Sequence, residues 1–371
     1  MRDPRSSALA QVLVRHSCRV TPGDNVMIES FDAPALFLRD LIREVTAAGG
    51  RPILQLRSNT LMRDLLRETS LEQMLLQGEI DSYTMSRMQC YIGIRANVNI
   101  SEWSDLPPEK VRLYQQHWWM PVHRDIRVPK TRWVILRWPN DSMAQLAGMS
   151  TEGFEDFYFN VCTVDYQKMS AAMQPLADLM MKTDRVRLVA PGTDLTFSIR
   201  GIAAIGCDGR TNIPDGEVFT APVRDSIEGE IVFNTPTVYQ GISQDKVRLR
   251  FEQGRIVDAE GTDQKGLLAI LDSDPGARYT GEFAIGFNPQ VTRPMRDILF
   301  DEKIAGSIHI ALGNAYEEAD NGNKSGVHWD LVLRMRPEEG GGEIYFDDVL
   351  IRKDGLFVVP ELLGLNPENL L

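Results

Sequence analysis

Histidine and carboxylate side chains are concentrated toward the C-terminal end of this 371-residue chain, where two of its five histidines lie. His328 and Asp330 are two positions apart in the segment GVHWD, so on a β-strand both side chains leave the same face. In the segment SIHIALG, isoleucine and leucine alternate with Ser307, His309 and Ala311. This alternation predicts a strand with one core face and one face that holds an imidazole beside small residues.

Three glutamates complete the set of candidate metal ligands. Glu217 follows a turn in NIPDGEVF, Glu282 lies in the strand-like segment TGEFAIG, and Glu302 lies in LFDEKIAG. Imidazole nitrogens and carboxylate oxygens are the usual ligands of zinc and related transition metals. The six candidates are Glu217, Glu282, Glu302, His309, His328 and Asp330.

The number of candidate ligands bears on the number of metal ions. Any one of these residues alone could be a solvated or packing side chain, and it is their joint occurrence in one region that favours a metal site. Six such ligands suit two hydrolytic metals about 3.5–4 Å apart, whereas one hydrolytic zinc needs three protein ligands. Tyr316 follows the predicted His309 strand, and its hydroxyl could stabilise a developing oxyanion.

The first half of the chain predicts an α/β domain with a mainly parallel sheet. Helical spacing of apolar residues alternates with short apolar strands, and connections of this length imply parallel βαβ units. The predicted helices cover 7–19, 32–50, 61–77, 107–119 and 151–183, and the predicted strands cover 25–30, 51–58, 89–95, 132–139 and 185–190. Neither GxGxxG after the first strand nor GxxxxGK[ST] is present, so nothing indicates a nucleotide cofactor.

The second half predicts a mostly β domain that carries the candidate metal ligands. Short strands and turns follow one another, and only 263–273 has a helical pattern. We therefore expect two domains, an α/β domain over residues 1–187 and a β-rich, metal-binding α+β domain over residues 188–371.

Composition excludes several classes of function. The net charge of −12 argues against non-specific nucleic-acid binding, and no apolar run approaches the ~20 residues that span a bilayer. Four widely spaced cysteines without a CxxC motif indicate free thiols in a reducing cytoplasm.

Four segments around these residues resemble the thermophilic metalloaminopeptidase family, the aminopeptidase T, aminopeptidase S and PepS group. They are NIPDGEVFTAP (212–222), GARYTGEFAIG (276–286), LFDEKIAGSIHIALGNAY (299–316) and HWD (328–330). The N-terminal segments TPGDNVMI and RWVILRWPNDSMAQLAGMSTEGFEDF are similar as well.

The resemblance implies a homodimer with a dinuclear site of zinc, cobalt or manganese, and peptide substrates with a free N-terminus. It places metal ligands at Glu217, Glu282, His309, His328 and Asp330, and an active-site tyrosine at Tyr316. Glu302 is an additional candidate, although it lies seven residues before His309 where several relatives have five. In the resulting hypothesis Glu217 or Glu282 takes a proton from the attacking water.

Two alternatives remain open at this point. Two histidines and one carboxylate, as in His309, His328 and Asp330, also form the ligand set of mononuclear Fe(II) oxygenases. A ring-cleaving dihydroxypyridine dioxygenase group resembles the same scaffold, although the presence of Glu217 and Glu282 favours two hydrolytic metals. The second alternative is a non-catalytic homologue that kept the fold.

Overall fold

The chain folds into two compact units. The computed structural model describes residues 3–99 and 101–371. One unit comprises the chain up to Thr163 together with Gly209–Ile213, and the other comprises Val164–Asp208 and Pro214–Leu371. The second unit begins at Val164 and includes the helix Tyr166–Met180, which packs on strands of this unit.

The first unit contains a parallel five-stranded sheet, which confirms the predicted α/β architecture. Its strand order is β2-β1-β3-β4-β8, and every neighbouring pair is parallel. The strands are β1 (Asn25–Phe31), β2 (Arg51–Arg57), β3 (Cys90–Arg95), β4 (Arg132–Arg137) and β8 (Asn212–Ile213).

Helical segments connect these strands, and several begin at capping side chains. The side chains of Ser70, Asn140 and Ser150 each accept a hydrogen bond from the backbone N–H three residues later. The helical segments are Pro4–Gln11, Val12–Ser17, Ala35–Ala47, Asn59–Arg67, Leu71–Met85, Pro108–Tyr114, Gln115–Arg127, Val128–Lys130, Asp141–Leu146 and Thr151–Cys162.

The long helix predicted over 151–183 is in fact two helices, Thr151–Cys162 and Tyr166–Met180. The carboxylate of Asp165 accepts hydrogen bonds from the N–H groups of Gln167 and Lys168. Asp165 therefore starts a new helix where periodicity alone predicts a continuous one, since a side-chain cap satisfies amides that a continuing helix would bond internally.

The second unit is β-rich, as predicted, and contains three sheets of eight, two and five strands. The eight-stranded sheet has the order β14-β13-β10-β6-β5-β18-β19-β20, the two-stranded sheet pairs β11 with β12, and the five-stranded sheet has the order β17-β16-β15-β9-β7. The strands are β5 (Arg185–Ala190), β6 (Thr193–Ser198), β7 (Ile205–Cys207), β9 (Glu217–Thr220), β10 (Glu228–Phe233), β11 (Thr237–Tyr239), β12 (Ile242–Gln244), β13 (Val247–Glu252), β14 (Arg255–Gly261), β15 (Thr280–Gly286), β16 (Ser307–Gly313), β17 (His328–Arg334), β18 (Glu343–Phe346), β19 (Val349–Lys353) and β20 (Leu356–Phe357).

The helical segments of the second unit are short apart from the first. They are Tyr166–Met180, Gln264–Leu271, Ile298–Asp301, Glu317–Ala319, Pro337–Glu339, Pro360–Leu365 and Pro367–Leu370. In the part of the chain that the structure describes, no helix combines the length and apolar character needed to cross a bilayer.

The two faces of the antiparallel five-stranded sheet, β17-β16-β15-β9-β7, differ in the side chains that they carry. Val218, Phe283 and Ile308 lie on one face and are fully buried in the core. On the other face, a glycine or alanine lies opposite each candidate ligand borne by a strand: Gly286 opposite Glu217, Ala284 opposite His309, Ala311 opposite Glu282 and Asp330, and Gly313 opposite His328. The small residues leave room above this face for the longer polar side chains.

Candidate metal centre

Four strands of the antiparallel five-stranded sheet bring five of the candidate ligands together. Glu217 begins β9, Glu282 lies on β15, His309 on β16, and His328 and Asp330 on β17. All of them are buried except His328, whose side chain is 24% exposed. The alternation read from the sequence is therefore present, and it directs these side chains to one face.

His309 lies at the centre of the group and is 1% exposed. Its Nε2 is 3.2 Å from Oε1 of Glu282 and 3.9 Å from Oδ1 of Asp330. Its Nδ1 is 3.7 Å from Oε2 of Glu217. One imidazole thus faces three carboxylates through both of its ring nitrogens.

His328 closes the group on the side of β17. Its Nε2 is 3.4 Å from Oε2 of Glu282 and 3.4 Å from Oδ1 of Asp330. Its Nδ1 is 2.9 Å from the backbone oxygen of Asn314, to which an Nδ1–H donates. This bond orients the ring with Nε2 toward the carboxylates, which is the arrangement seen for metal-binding histidines.

Glu302 joins the group from the connection between β15 and β16. It follows the short helix Ile298–Asp301, and its side chain is 15% exposed. Among the six predicted residues, three sets of possible ligand atoms each lie within 4.8 Å of one another: Glu217, Glu282 and His309; Glu282, His328 and Asp330; and Glu302, His309 and Asp330. The structure therefore brings all six predicted residues into one cluster of overlapping sets.

Close backbone contacts hold the loop of Glu302 against the sheet. The N–H of Asn288 donates to the backbone oxygen of Lys303 at 3.0 Å, and the Asn288 side chain donates to the oxygen of Asp215 at 2.7 Å. A Cβ on Gly286 would lie 2.7 Å from the backbone oxygen of Glu302. Only a glycine at position 286 lets this loop approach the sheet so closely.

Lys303 is a buried cation in this cluster that the sequence analysis missed. Its ammonium group binds Oε1 of Glu217, lies 2.7 Å from Oε1 of Glu302 and lies 3.4 Å from Oδ1 of Asp215. Burial alone would lower the pKa of Lys303, but Glu217, Glu302 and Asp215 raise it well above its usual value. The only signal in the sequence was a lysine directly after an acidic pair in an otherwise apolar segment.

Burial and mutual charge shift the protonation of the whole group in the metal-free protein. Burial raises the pKa of Glu217 to about 8. Burial opposes protonation of His309, but Glu217 and Glu282 raise its pKa to about 10. Burial would likewise raise the pKa of Asp330, but His328 lowers it to about 2. Bound protons and the Lys303 ammonium group thus offset the negative charge of this acidic pocket.

Several ligand atoms of the pocket lack hydrogen-bond partners. Among the described residues, Oε2 of Glu217, Nδ1 of His309 and Oδ1 of Asp330 are buried without one. Unpaired buried polar atoms are costly and call for an explanation. A divalent metal ion explains them, because it bonds to carboxylate oxygen and imidazole nitrogen without a hydrogen atom.

Tyr316 lies at the open side of the cluster and is 45% exposed. Its ring centroid is 4.6 Å from that of His328 and 5.8 Å from that of Phe219. Burial of the hydroxyl, followed by the charges of Glu282 and Asp330, raises the pKa of Tyr316. The phenol therefore stays protonated and can donate a hydrogen bond next to the cluster.

A buried cluster of two imidazoles and four carboxylates, with unpaired ligand atoms, is the kind of centre that metal-dependent enzymes use. Residues 2–346 match the family described as Thermophilic metalloprotease (M29). The chain belongs to this family. The family resemblance read from the sequence is thus confirmed. Membership of a metalloprotease family implies the use of a divalent metal.

Several bacterial aminopeptidases are similar in sequence to parts of this chain. It is 38% identical to aminopeptidase T of Thermus thermophilus over 37% of this chain and 36% of the relative. It is 32% identical to aminopeptidase T of Thermus aquaticus over 60% of this chain and 62% of the relative. Aminopeptidase PepS of Streptococcus thermophilus is 23% identical over 87% of this chain and 90% of the relative. The aligned segment thus spans about a third of the first of these relatives.

Two solved structures share the fold. Wild-type AmpT from Thermus thermophilus superposes with a TM-score of 0.80 at 23% identity, over 96% of this chain and 99% of that one. A 2,5-dihydroxypyridine dioxygenase from Pseudomonas putida superposes with a TM-score of 0.63 at 13% identity, over 96% and 98%. Both likenesses concern the fold, and the second shows that the scaffold also occurs in a dioxygenase.

Proposed function

We propose that this protein is a metal-dependent aminopeptidase that releases N-terminal amino acids from peptides. The observation that carries the proposal is the set of overlapping carboxylate and imidazole groups, with buried ligand atoms that have no hydrogen-bond partner among the described residues. Membership of a metalloprotease family and partial similarity to named aminopeptidases support the same reaction.

The ligand set fits two divalent ions. The residues that would hold them are Glu217, Glu282, Glu302, His309, His328 and Asp330. Zinc, cobalt and manganese all accept such nitrogen and oxygen ligands, so cellular supply decides between them. When bound, the ions supply Lewis acidity, which polarises a peptide carbonyl and lowers the pKa of water.

Glu217 is our choice for the group that accepts a proton from the attacking water and passes it to the leaving amine. Both oxygens of Glu282 face histidines, at 3.2 Å from His309 and 3.4 Å from His328. Oε2 of Glu217, in contrast, has no hydrogen-bond partner among the described residues. Each carboxylate oxygen has two lone pairs, so Oε2 of Glu217 can contact a metal ion through one and take a proton from water on the other.

Tyr316 and the acidic residues divide the remaining tasks. The Tyr316 hydroxyl donates a hydrogen bond to the oxyanion that forms as the carbonyl carbon becomes tetrahedral. The substrate's free α-amine is cationic, and the four carboxylates of the cluster favour it over an uncharged, acylated terminus. This preference gives cleavage at the first peptide bond.

The test is hydrolysis of aminoacyl-p-nitroanilides of leucine, arginine, phenylalanine and alanine. The protein is stripped with a chelator and reconstituted separately with zinc, cobalt and manganese. We expect metal-restored release of p-nitroaniline that is abolished when the substrate amine is acetylated. Failure of all three loaded forms on the whole panel and on unmodified peptides would refute the proposal. One bound iron per chain, with oxygen uptake on an aromatic diol, would establish the dioxygenase instead.

We further propose that the protein is a cytoplasmic homodimer. The family resemblance supports the dimer, and the four free thiols of Cys18, Cys90, Cys162 and Cys207 suit a reducing compartment. Sedimentation equilibrium at micromolar concentration tests the dimer, which a monomer mass would exclude.

A further inference from the structure

We propose that Lys303 makes the two metal positions of this centre unequal. This inference rests on the proposed two-metal site and deepens it. In our assignment, Glu282, His328 and Asp330 form a first position, which binds tightly. The second position is centred on His309 and takes Glu217 and Glu302, each of which shares a different set of ligand atoms with His309. It binds more weakly because the Lys303 ammonium already holds both of these carboxylates.

The contacts of the ammonium are all on one side of the cluster. Lys303 binds one oxygen of Glu217, one oxygen of Glu302 and, more distantly, Asp215. Among the described ion pairs, the carboxylates of Glu282 and Asp330 face imidazoles only. An imidazole can give its lone pair to a metal, whereas an ammonium has none and repels a second cation.

The ammonium cannot easily leave. Lys303 is 1% exposed, and its backbone oxygen accepts the hydrogen bond from Asn288 that fixes the loop to the sheet. A charge buried this deeply would lose its three carboxylate partners without gaining water if it swung away. The Lys303 side chain therefore stays in place as a metal ion enters.

The carboxylates can serve both cations, because each has two oxygens. Oε1 of Glu217 binds Lys303, while Oε2 lies 3.7 Å from Nδ1 of His309 and has no hydrogen-bond partner within residues 3–99 and 101–371. Lys303 thus has two effects on the second position. It orients Glu217 and Glu302, and it cancels part of the negative charge that attracts the metal. The second effect is larger, because charges a few ångströms apart in a buried site interact strongly.

The test is calorimetric titration of the chelator-stripped full chain with Zn²⁺ and with Mn²⁺. We expect two binding steps in the unmodified protein, with the second weaker by at least tenfold. The substitution Lys303→Met should tighten the weaker step at least tenfold and change the tighter step less than threefold. Lys303→Arg, which keeps the charge, should retain the gap between the two steps.

Three further variants make the result specific. Lys324→Met is the matched control, because this lysine is 61% exposed and pairs with Asp320 away from the cluster. It should change neither step. Lys303→Gln replaces Lys303→Met if the latter does not fold, since an amide keeps one hydrogen-bond donor. His328→Ala should remove the tight step and leave the other step in place.

Each outcome decides the inference. A gap that is unchanged or wider when Lys303 loses its charge would overturn it. Unmodified protein that binds one ion, and gains a second with Lys303→Met, would support it in its strongest form. A third outcome is two metal-binding steps whose difference in affinity depends on Lys303, in a protein that cleaves no aminoacyl substrate. That result would support the inference and refute the aminopeptidase.

Discussion

The substitution Gly286→Ala tests whether the close approach of the Glu302 loop builds the metal centre. Gly286 lies opposite Glu217 on the neighbouring strand. A Cβ at this position would lie 2.7 Å from the backbone oxygen of Glu302, 2.9 Å from that of Ile304 and 2.9 Å from Oγ of Ser307. Two of these atoms belong to the backbone, so the clash is relieved only if the loop moves.

The magnitude follows from the cost of one extra carbon in a filled site. Overpacking of this kind costs about 1–3 kcal/mol of folding free energy. A shift of the loop also moves the Glu302 carboxylate away from Glu217 and His309. The loss of this proposed ligand outweighs the weaker repulsion from Lys303, which lies on the same loop, so we expect the weaker metal-binding step to lose at least tenfold in affinity. The tighter step, which uses Glu282, His328 and Asp330, should keep its affinity within about threefold.

The assay combines urea unfolding with metal titration. Gly326→Ala is the matched control, because the nearest atom to its added Cβ is Oδ2 of Asp274 at 3.6 Å, an ordinary contact. The control should stay within about 0.5 kcal/mol of the unmodified protein. If Gly286→Ala matches the control in both stability and metal affinity, then the loop does not depend on the missing side chain and the reasoning fails.

Three other predictions follow from the cluster. His309→Ala and His328→Ala should each abolish peptide hydrolysis and lower the metal content, as atomic absorption after dialysis would show; full activity in both variants would exclude the assignment. Tyr316→Phe should lower kcat about 10²–10³-fold with little change in metal content, as expected for loss of one oxyanion donor, and an unchanged kcat would remove Tyr316 from the mechanism. In the metal-free protein the pKa of His309 is raised to about 10 and that of Glu217 to about 8, so the folded state binds more protons than the unfolded state between about pH 5 and 10. Stability to urea in chelator should therefore fall by a few kcal/mol as the pH rises through this range, and a flat or rising profile would contradict the raised pKa values of His309 and Glu217.

The sequence was informative where side-chain periodicity and ligand chemistry coincide. Alternation in SIHIALG and HWD predicted both strands and the face on which His309 and Asp330 lie, because a strand repeats every two residues. The helical and strand patterns of the first half likewise predicted four of the five strands of the parallel sheet, since its connections are too long for hairpins. The fifth predicted strand, 185–190, instead pairs antiparallel with β6 and β18 in the second unit.

Two features depend on long-range contacts that local patterns do not encode. The helix Tyr166–Met180 belongs to the second unit, and only its packing on strands far along the chain assigns it there. The position of Lys303 could not be predicted either, because a lysine after Asp301 and Glu302 is usually solvated. Its burial results from the Asn288 and Gly286 contacts, which join segments distant in sequence.

The glycine and alanine residues of the antiparallel five-stranded sheet shape the space of the candidate metal centre as much as the proposed ligands do. Ala284 and Ala311 are fully buried and lie opposite His309, Glu282 and Asp330. The small side chain of each alanine leaves space above the sheet. A valine at either position would fill that space without changing any of the proposed ligands in the sequence. If the six proposed ligands do bind metal, a protein of this family with such a valine would lose the metal centre while keeping all six of them. Recognition of active members should accordingly score these small residues along with the histidines and carboxylates.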